Sequence, residues 1–465
     1  MTEQAVLHTS ATGGAVEEQV PSMECDVAVI GGGPAGMGAA LAAERAGSQV
    51  LLIERNEHLG GILRQCIHPG FGLSHFKEEL TGPEYAQRFI DQVKRTDIEV
   101  LTESMVIAID REPDEAPGHL LTIMSPDGMR RVRCGSVVLA MGCRERTRSE
   151  IKIPGSRPAG VFTAGLAQRY LNIENLAPGH RAVILGSGDI GLIMARRLSL
   201  EGCEVEGVYE LMPYANGLAR NVKNCLEDFG IPLHLSCTVT RIIGRGRLEA
   251  VEISQVDDAL KPISGTERTV PCDMLLLSVG LIPENELACA AGVQLDPRTR
   301  GAAVDDRLMT TVPGVFSCGN VLHVHDLADN VTAEAERAGA AAAAWAAERQ
   351  RARQGGPGCA SEPDADLEQV PLEVRPSGLA GYVVPARISD RSGCRLFFRV
   401  RKPVERGRIR ITSGDVTLFE GKPRPFKPSC MESAPVTGRM LAEAHGEVTL
   451  SIEEITGGPC DDQIR

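Results

Sequence analysis

No two of the 14 cysteines in this 465-residue chain stand at C-x-x-C spacing, and no Cys/His array has the pattern of a zinc or iron–sulfur site. Scattered thiols of this kind read as reduced and mostly buried. No uninterrupted apolar run approaches the roughly 18 residues that a membrane-spanning helix needs. An excess of positive charge is also missing. The formal net charge is −13, which argues against nucleic acid or an anionic membrane as a partner, both being negative themselves. The polar, acidic opening (1–22) lacks the apolar segment of a secretory signal and reads as a disordered leader, so a cytoplasmic protein is expected. At this length two or three domains are expected.

What is present is an internal repeat. "DVAVIGGGPAGMGAALAAERAGSQVLLIE" (26–54) and "RAVILGSGDIGLIMARRLSLEGCEVEGVYE" (181–210) each read as a β-branched run, a G-x-G-x-x-G turn, a helix and a second run ending in Glu. This is a βαβ unit with a dinucleotide fingerprint. Gly31 and Gly186 permit the turn out of the strand. Gly33 and Gly188 let backbone approach a pyrophosphate, and Gly36 and Gly191 let the helix pack against the sheet. The first helical turns, Pro34 and Ala35 in one copy and Asp189 and Ile190 in the other, belong to the same sites. Glu54, with Arg55 beside it, and Glu210 stand where a carboxylate accepts from ribose hydroxyls. Glu210 would also repel a 2′-phosphate and favour NAD over NADP, with Arg220 and Lys223 placed to soften that preference. Two dinucleotides are implied.

The remaining landmarks suit one α/β architecture. "GSVVLAMGC" (135–143) and "CDMLLLSVGLIPEN" (272–285) are buried strands ending in small-residue turns, which adds Ala140, Gly142 and Gly280 to the candidate binding residues. "TTVPGVFSCGNVLHVHDLADN" (310–330) is a third strand-to-loop segment, followed by an Ala-rich helix. Its start around Asn330–Thr332 is the candidate dipole for a flavin edge. A Gly/Pro/acid stretch (351–370) reads as a linker, and alternating segments beyond it as a small β-rich domain (371–465).

On these motifs the chain resembles the pyridine-nucleotide–disulfide oxidoreductase superfamily over residues 23–350. The resemblance implies a glutathione-reductase-like α/β fold with two Rossmann-like domains. FAD would lie in 23–150 plus 283–350, and NAD(H) in an inserted domain, 151–282. The candidate FAD set then also includes Gly61, Gly319 and Asn320. The family places an acid on the ribityl chain where this sequence has Asn320.

The segments "GGILRQCIHPGFGLSHFKEELTGPEYAQRF", "PGSRPAGVFTAGLAQRY" and "CGNVLHVHDL" look like a narrower subgroup, encoded beside a glycerol-3-phosphate-dehydrogenase-like flavoprotein and a small cysteine-rich protein. That likeness implies an oligomeric NAD(H)-reactive flavoprotein subunit that relays electrons to a partner oxidising a hydroxy compound. The β-rich tail would be the docking surface.

The resemblance places the "CIH" and "LHVHD" segments, with Cys66, His68, His323 and His325, near the flavin, and Cys66, His68 and His325 are the catalytic candidates; His75 is a further histidine of the same region. Cys66 is open to three readings: half of a disulfide pair, a flavin-adjacent thiol that tunes or oxidises, or a packed structural thiol. Each histidine is either a proton donor or a hydrogen-bonded loop residue. His323 and His325 supply two metal ligands at most, and no metal is expected. Arg64, Arg144 and Arg146 either steer an anion, hold the flavin, or are solvated. Two rival functions stay open: a self-contained NADH oxidase or disulfide reductase using Cys66, and a redox-sensing or scaffold subunit that binds FAD and NAD.

Overall fold

The computed structural model describes residues 23–111, 118–354 and 371–455. The leader expected at 1–22 lies outside them, as does most of the expected linker. The helix before that linker runs Ala328–Gln354, four residues into the stretch read as linker.

Short Val/Ile/Leu runs without polar alternation form parallel strands buried on both faces. In the first domain, Met23–Ile30 is flanked in parallel by Val50–Ile53 and Gly128–Leu139, and Glu99–Leu101 and Val315–Ser317 extend the parallel set. His119–Ser125 continues the sheet antiparallel to Gly128–Leu139, and Met105–Arg111 pairs antiparallel with His119–Ser125 at the edge.

The Ala-rich helix 328–354 packs against helix Pro34–Arg45, and its composition explains how closely. A Cβ on Gly339 would lie 2.0 Å from the Ala39 carbonyl oxygen. Ala335, Ala338, Ala342 and Ala343 are buried along the seam. The helix begins at Ala328, two residues before the expected start. Asp329, in its first turn, accepts from the amides of Gly72 (3.1 Å) and Ser74 (2.9 Å), and Thr332 meets the Tyr85 hydroxyl at 2.8 Å.

The second sheet is wholly parallel: Val161–Thr163, Met274–Leu277, Arg181–Leu185, Glu204–Tyr209, Leu233–His234. An antiparallel layer, Cys237–Gly244 with Leu248–Gln255 and Arg268–Pro271, covers one side. A two-stranded ribbon, Cys143–Glu145 with Leu281–Pro283, joins the two nucleotide folds.

Residues 372–454 build two further sheets around a separate core that includes Leu396, Phe398 and Phe426. Among the described residues, no helix is long and apolar enough to cross a membrane.

Candidate functional site

The two fingerprints are anchored alike. Gly31 leaves its strand at φ 110°, where a Cβ would strike the Ala140 carbonyl oxygen at 2.4 Å. Gly186 repeats this at φ 93° against the Ser278 carbonyl, at 2.2 Å. Glu54 is buried and accepts from the Gly32 amide (2.7 Å) and from the Asn56 amide and side chain (2.8 Å each). Glu210, also buried, accepts from the Ser187 amide (2.8 Å) and hydroxyl (2.6 Å) and from the Met212 amide (2.9 Å). An ionised carboxylate has about four acceptor sites, so three protein donors leave each glutamate room for a ribose hydroxyl.

The surroundings fit the two nucleotides. A Cβ on Gly33 would meet only the Gly61 Cα, at 3.9 Å, and one on Gly142 would meet nothing within 4 Å. These are open cradles bounded by backbone. At the second fold a cavity of about 800 Å³ is lined by Gly186, Gly188, Glu210 and Gly280, with Arg146 and Lys152 on its wall. Arg220 and Lys223 do not line it; a Cβ on Gly70 would lie 3.6 Å from the Arg220 guanidinium.

Other candidates have protein partners. Asp189 accepts from the Leu218 amide and the Asn221 side chain, so it caps the helix Ala219–Cys225. Ile190 packs into the second core, and Arg55 is exposed. Arg64 is exposed, and Arg144 is held by Glu284 (3.1 Å) and Glu286 (2.7 Å) rather than free to steer an anion. His75 packs edge-on against Phe76 and beside Phe89. His68 sits at the Pro69–Phe71 hairpin, 3.0 Å from the Pro69 carbonyl, and feels Arg220, Asp189 and Arg196 of the second fold; burial lowers its pKa.

Cys66 ends a 3₁₀ turn at the seam between the two folds. Its thiol donates to the Ile62 carbonyl at 3.3 Å, and burial pushes it up to about 12. The neighbouring Gln65 crosses to the Gly165 carbonyl and to Gln168, while Asn172 bonds back to the Gln65 carbonyl. Cys143 lies on the joining ribbon, and burial pushes it up to about 11. Every cysteine among the described residues is free.

The cluster that sequence reasoning missed surrounds Glu334. Helix 328–354 places this carboxylate 2.7 Å from His323 Nε2 and 3.1 Å from His325 Nε2, and Oε1 also accepts from the Gly319 amide at 2.7 Å. A carboxylate is acceptor-only, so both rings present Nε2–H to it. Burial pushes the Glu334 carboxyl up, but the two rings and their hydrogen bonds overcome it and hold it well below the usual carboxylate range. Burial lowers the pKa of His323 more than Glu334 supports it.

The fold thus adds a third potential metal donor to the two expected, and the donor atoms lie within 4.8 Å of one another. Each ring nitrogen, however, faces a separate carboxylate oxygen at hydrogen-bond distance. Neither Nδ1 has the hydrogen-bond partner that a metal-bound imidazole normally has. Hydrogen bonding accounts for the cluster.

Asn320 accepts from the His325 amide (3.0 Å), and a Cβ on Gly319 would lie 2.8 Å from the Ala35 Cβ, so the cluster sits directly behind the first fingerprint.

The sequence pattern described as pyridine nucleotide-disulphide oxidoreductase matches residues 25–344. The chain belongs to this family. Its members are FAD-dependent NAD(P)H oxidoreductases, and FAD and NAD(P)H are the cofactors of the two folds. One subunit of the opine oxidase of Agrobacterium tumefaciens (strain Ach5) is 25% identical over 312 residues, 63% of this chain and 61% of that protein. The ferredoxin–NAD(+) reductase component of the benzene 1,2-dioxygenase system of Pseudomonas putida is 30% identical over 311 residues, 63% and 66% of the two chains. The match therefore spans less than two thirds of either relative. Thioredoxin reductase of T. acidophilum shares the fold, with TM-score 0.56, 24% identity, and coverage of 70% of this chain and 99% of that one. In this chain the β-rich domain, residues 372–454, lies beyond the matched region.

Proposed function

We propose that this chain is a subunit that exchanges hydride between NAD(H) in the second fold and FAD in the first, and relays the electrons to a partner dehydrogenase. The observation that carries the reading is the duplicated anchor: two buried glutamates, Glu54 and Glu210, each fixed by the backbone of its own fingerprint within one chain. When bound, the two cofactors supply the redox chemistry themselves. The protein holds and orients them. Gly31, Gly33, Pro34, Ala35, Gly36, Gly61, Ala140 and Gly142 form the first cradle, with Glu54 on the ribose. Gly186, Gly188, Gly191 and Gly280 form the second with Glu210.

Three carboxylates, Glu210, Glu252 and Glu267, line the second cavity. They disfavour a 2′-phosphate and support NAD(H) over NADP(H). Cys66 is assigned a packing role, because a thiol raised to about 12 is protonated at neutral pH and is a poor exchange nucleophile. This disfavours the disulfide-reductase alternative.

The partner is supported by relatives named as components of larger enzymes, among them the opine oxidase protein and HcnB of the hydrogen cyanide synthase of Pseudomonas aeruginosa. The sequence likeness suggests a glycerol-3-phosphate-dehydrogenase-like flavoprotein as that partner, with a hydroxy compound as ultimate substrate. The test is purification from the native host followed by NADH reduction. Co-purification of a second flavoprotein, and hydroxy-substrate-dependent reduction of NAD⁺ only when both are present, support the proposal. Full NADH oxidase turnover by the isolated chain contradicts it.

A further inference from the structure

The loop between the Gly319–Val321 turn and helix 328–354 is held from two sides. His323 and His325 point inward to Glu334, whose carboxylate holds the Gly319 amide. The outward side is gripped by the C-terminal domain. Arg399, on strand Gly393–Val400, donates to the Val324 carbonyl at 3.0 Å and forms an ion pair with Asp326, while its other terminal nitrogen donates to the Pro428 carbonyl at 3.0 Å. The Met431 amide bonds the second Asp326 oxygen at 2.5 Å. Tyr382 and Phe397 of the same domain pack edge-on against His323 with centroids at 6.1 Å.

We propose that Arg399 is a positioning residue of the FAD site: it sets the register of the 322–327 loop from behind, and through Glu334 the placement of the Gly319–Asn320 turn. The inference rests on the FAD reading of the first fold. It gives the C-terminal domain a role inside the flavoprotein, beyond the docking surface expected of it.

Three features make this more than a contact between neighbours. The pair is largely enclosed, with side chains 19% (Arg399) and 14% (Asp326) exposed, so its geometry is held more firmly than that of a solvated surface pair. The planar guanidinium reaches three acceptors on two segments, which a lysine ammonium on its flexible stem cannot reproduce. The domain also has independent moorings. The Asp306 carboxylate accepts from the amides of Ser389 (2.7 Å) and Asp390 (3.2 Å), and the Ala386 amide bonds the Val304 carbonyl at 3.0 Å. Removing Arg399 therefore loosens the loop while leaving the domain docked.

The test uses the full-length chain and the double variant R399M/D326N, which removes both charges and strands neither. FAD affinity by fluorescence titration, the visible circular dichroism of bound flavin, NAD⁺ affinity and Tm are compared with wild type. The expected result is FAD binding weakened roughly tenfold or more, equivalent to about 1.4 kcal/mol. Flavin dichroism is altered, while Tm and NAD⁺ affinity are preserved. R399K, which keeps the charge and loses the fork, shows the same dichroism change and carries the test if the double variant does not fold. FAD affinity within about twofold of wild type, the scatter of an ordinary surface substitution, together with unchanged dichroism in the folded variant, overturns the proposal. A wild-type chain that binds no FAD at all is a different outcome and contradicts the FAD reading itself.

Discussion

His323 Nε2 lies 2.7 Å from Glu334 Oε2, and both side chains are 1% exposed. An ionised carboxylate is thus kept in the interior by two ring N–H groups and one backbone amide, against the first fingerprint. Such a group is costly unless its acceptor sites are filled, so the donors and the carboxylate are interdependent. Glu334→Ala leaves two ring N–H groups and the Gly319 amide without their acceptor and is expected to cost about 3 kcal/mol in stability, at about 1–3 kcal/mol per unsatisfied buried donor, and to release FAD, as read by denaturation and flavin fluorescence.

The same pair fixes the direction of the pH response. The His323 pKa is lowered below its ordinary 6.5, so the unfolded chain takes up a proton that the folded chain refuses. Stability is therefore full above about pH 6.5 and falls as pH drops through the folded value. Glu334, held below its ordinary 4.5, adds a second loss at lower pH with the same sign. Tm measured from pH 8 to pH 4 should fall in acid, and His323→Leu should flatten the upper limb. An unchanged slope in that variant would remove His323 from the account.

Two glycines three apart on one turn should behave oppositely. At Gly33 a Cβ meets only the Gly61 Cα at 3.9 Å, whereas at Gly36 it would fall 1.6 Å from the Gly31 carbonyl oxygen. Gly33→Ala should fold with wild-type far-UV dichroism and lose FAD, because on the proposed function its methyl would fill the space left for the pyrophosphate. Gly36→Ala should lose folding yield itself. Quantifying flavin content and soluble yield side by side checks both.

These glycines were legible from the sequence because each obeys a local rule of strand, turn and helix, and the terminal glutamates follow at nearly equal distances, 22 residues after Gly32 and 23 after Ser187. Glu334 was not. It sits among alanines on a helix whose pattern speaks only of close packing, and its partners His323 and His325 reach it from the loop that precedes that helix. Arg399 and Asp326, 73 residues apart, carry no local signal at all. Asn320 was noticed as a missing acid, while the buried carboxylate that stands next to it, Glu334, becomes visible only in three dimensions. The Asp189 side chain also accepts from the Leu218 amide and the Asn221 side chain, a tertiary use that the fingerprint pattern does not signal.

Cys66→Ala should leave NADH-dependent flavin reduction within about twofold of wild type, since a thiol pushed up to about 12 contributes no thiolate at neutral pH. Rapid mixing under anaerobic conditions reads the rate directly. A loss of tenfold or more would return Cys66 to the electron path.

Glu210→Ala should weaken NADH binding by about 1–3 kcal/mol, the cost of losing hydrogen bonds to a charged group, and narrow the margin over NADPH. Loss of affinity for NADPH alone would contradict the assignment of Glu210 to the ribose.

The central claim, hydride exchange between two nucleotides held by one chain, is tested most directly by anaerobic titration of the FAD-loaded protein with NADH. The account predicts that the flavin band bleaches to completion with one NADH per flavin, with no long-wavelength thiolate-to-flavin band. Uptake of a second two-electron equivalent with that band present, or failure of NADH to bleach the flavin at all, would contradict it.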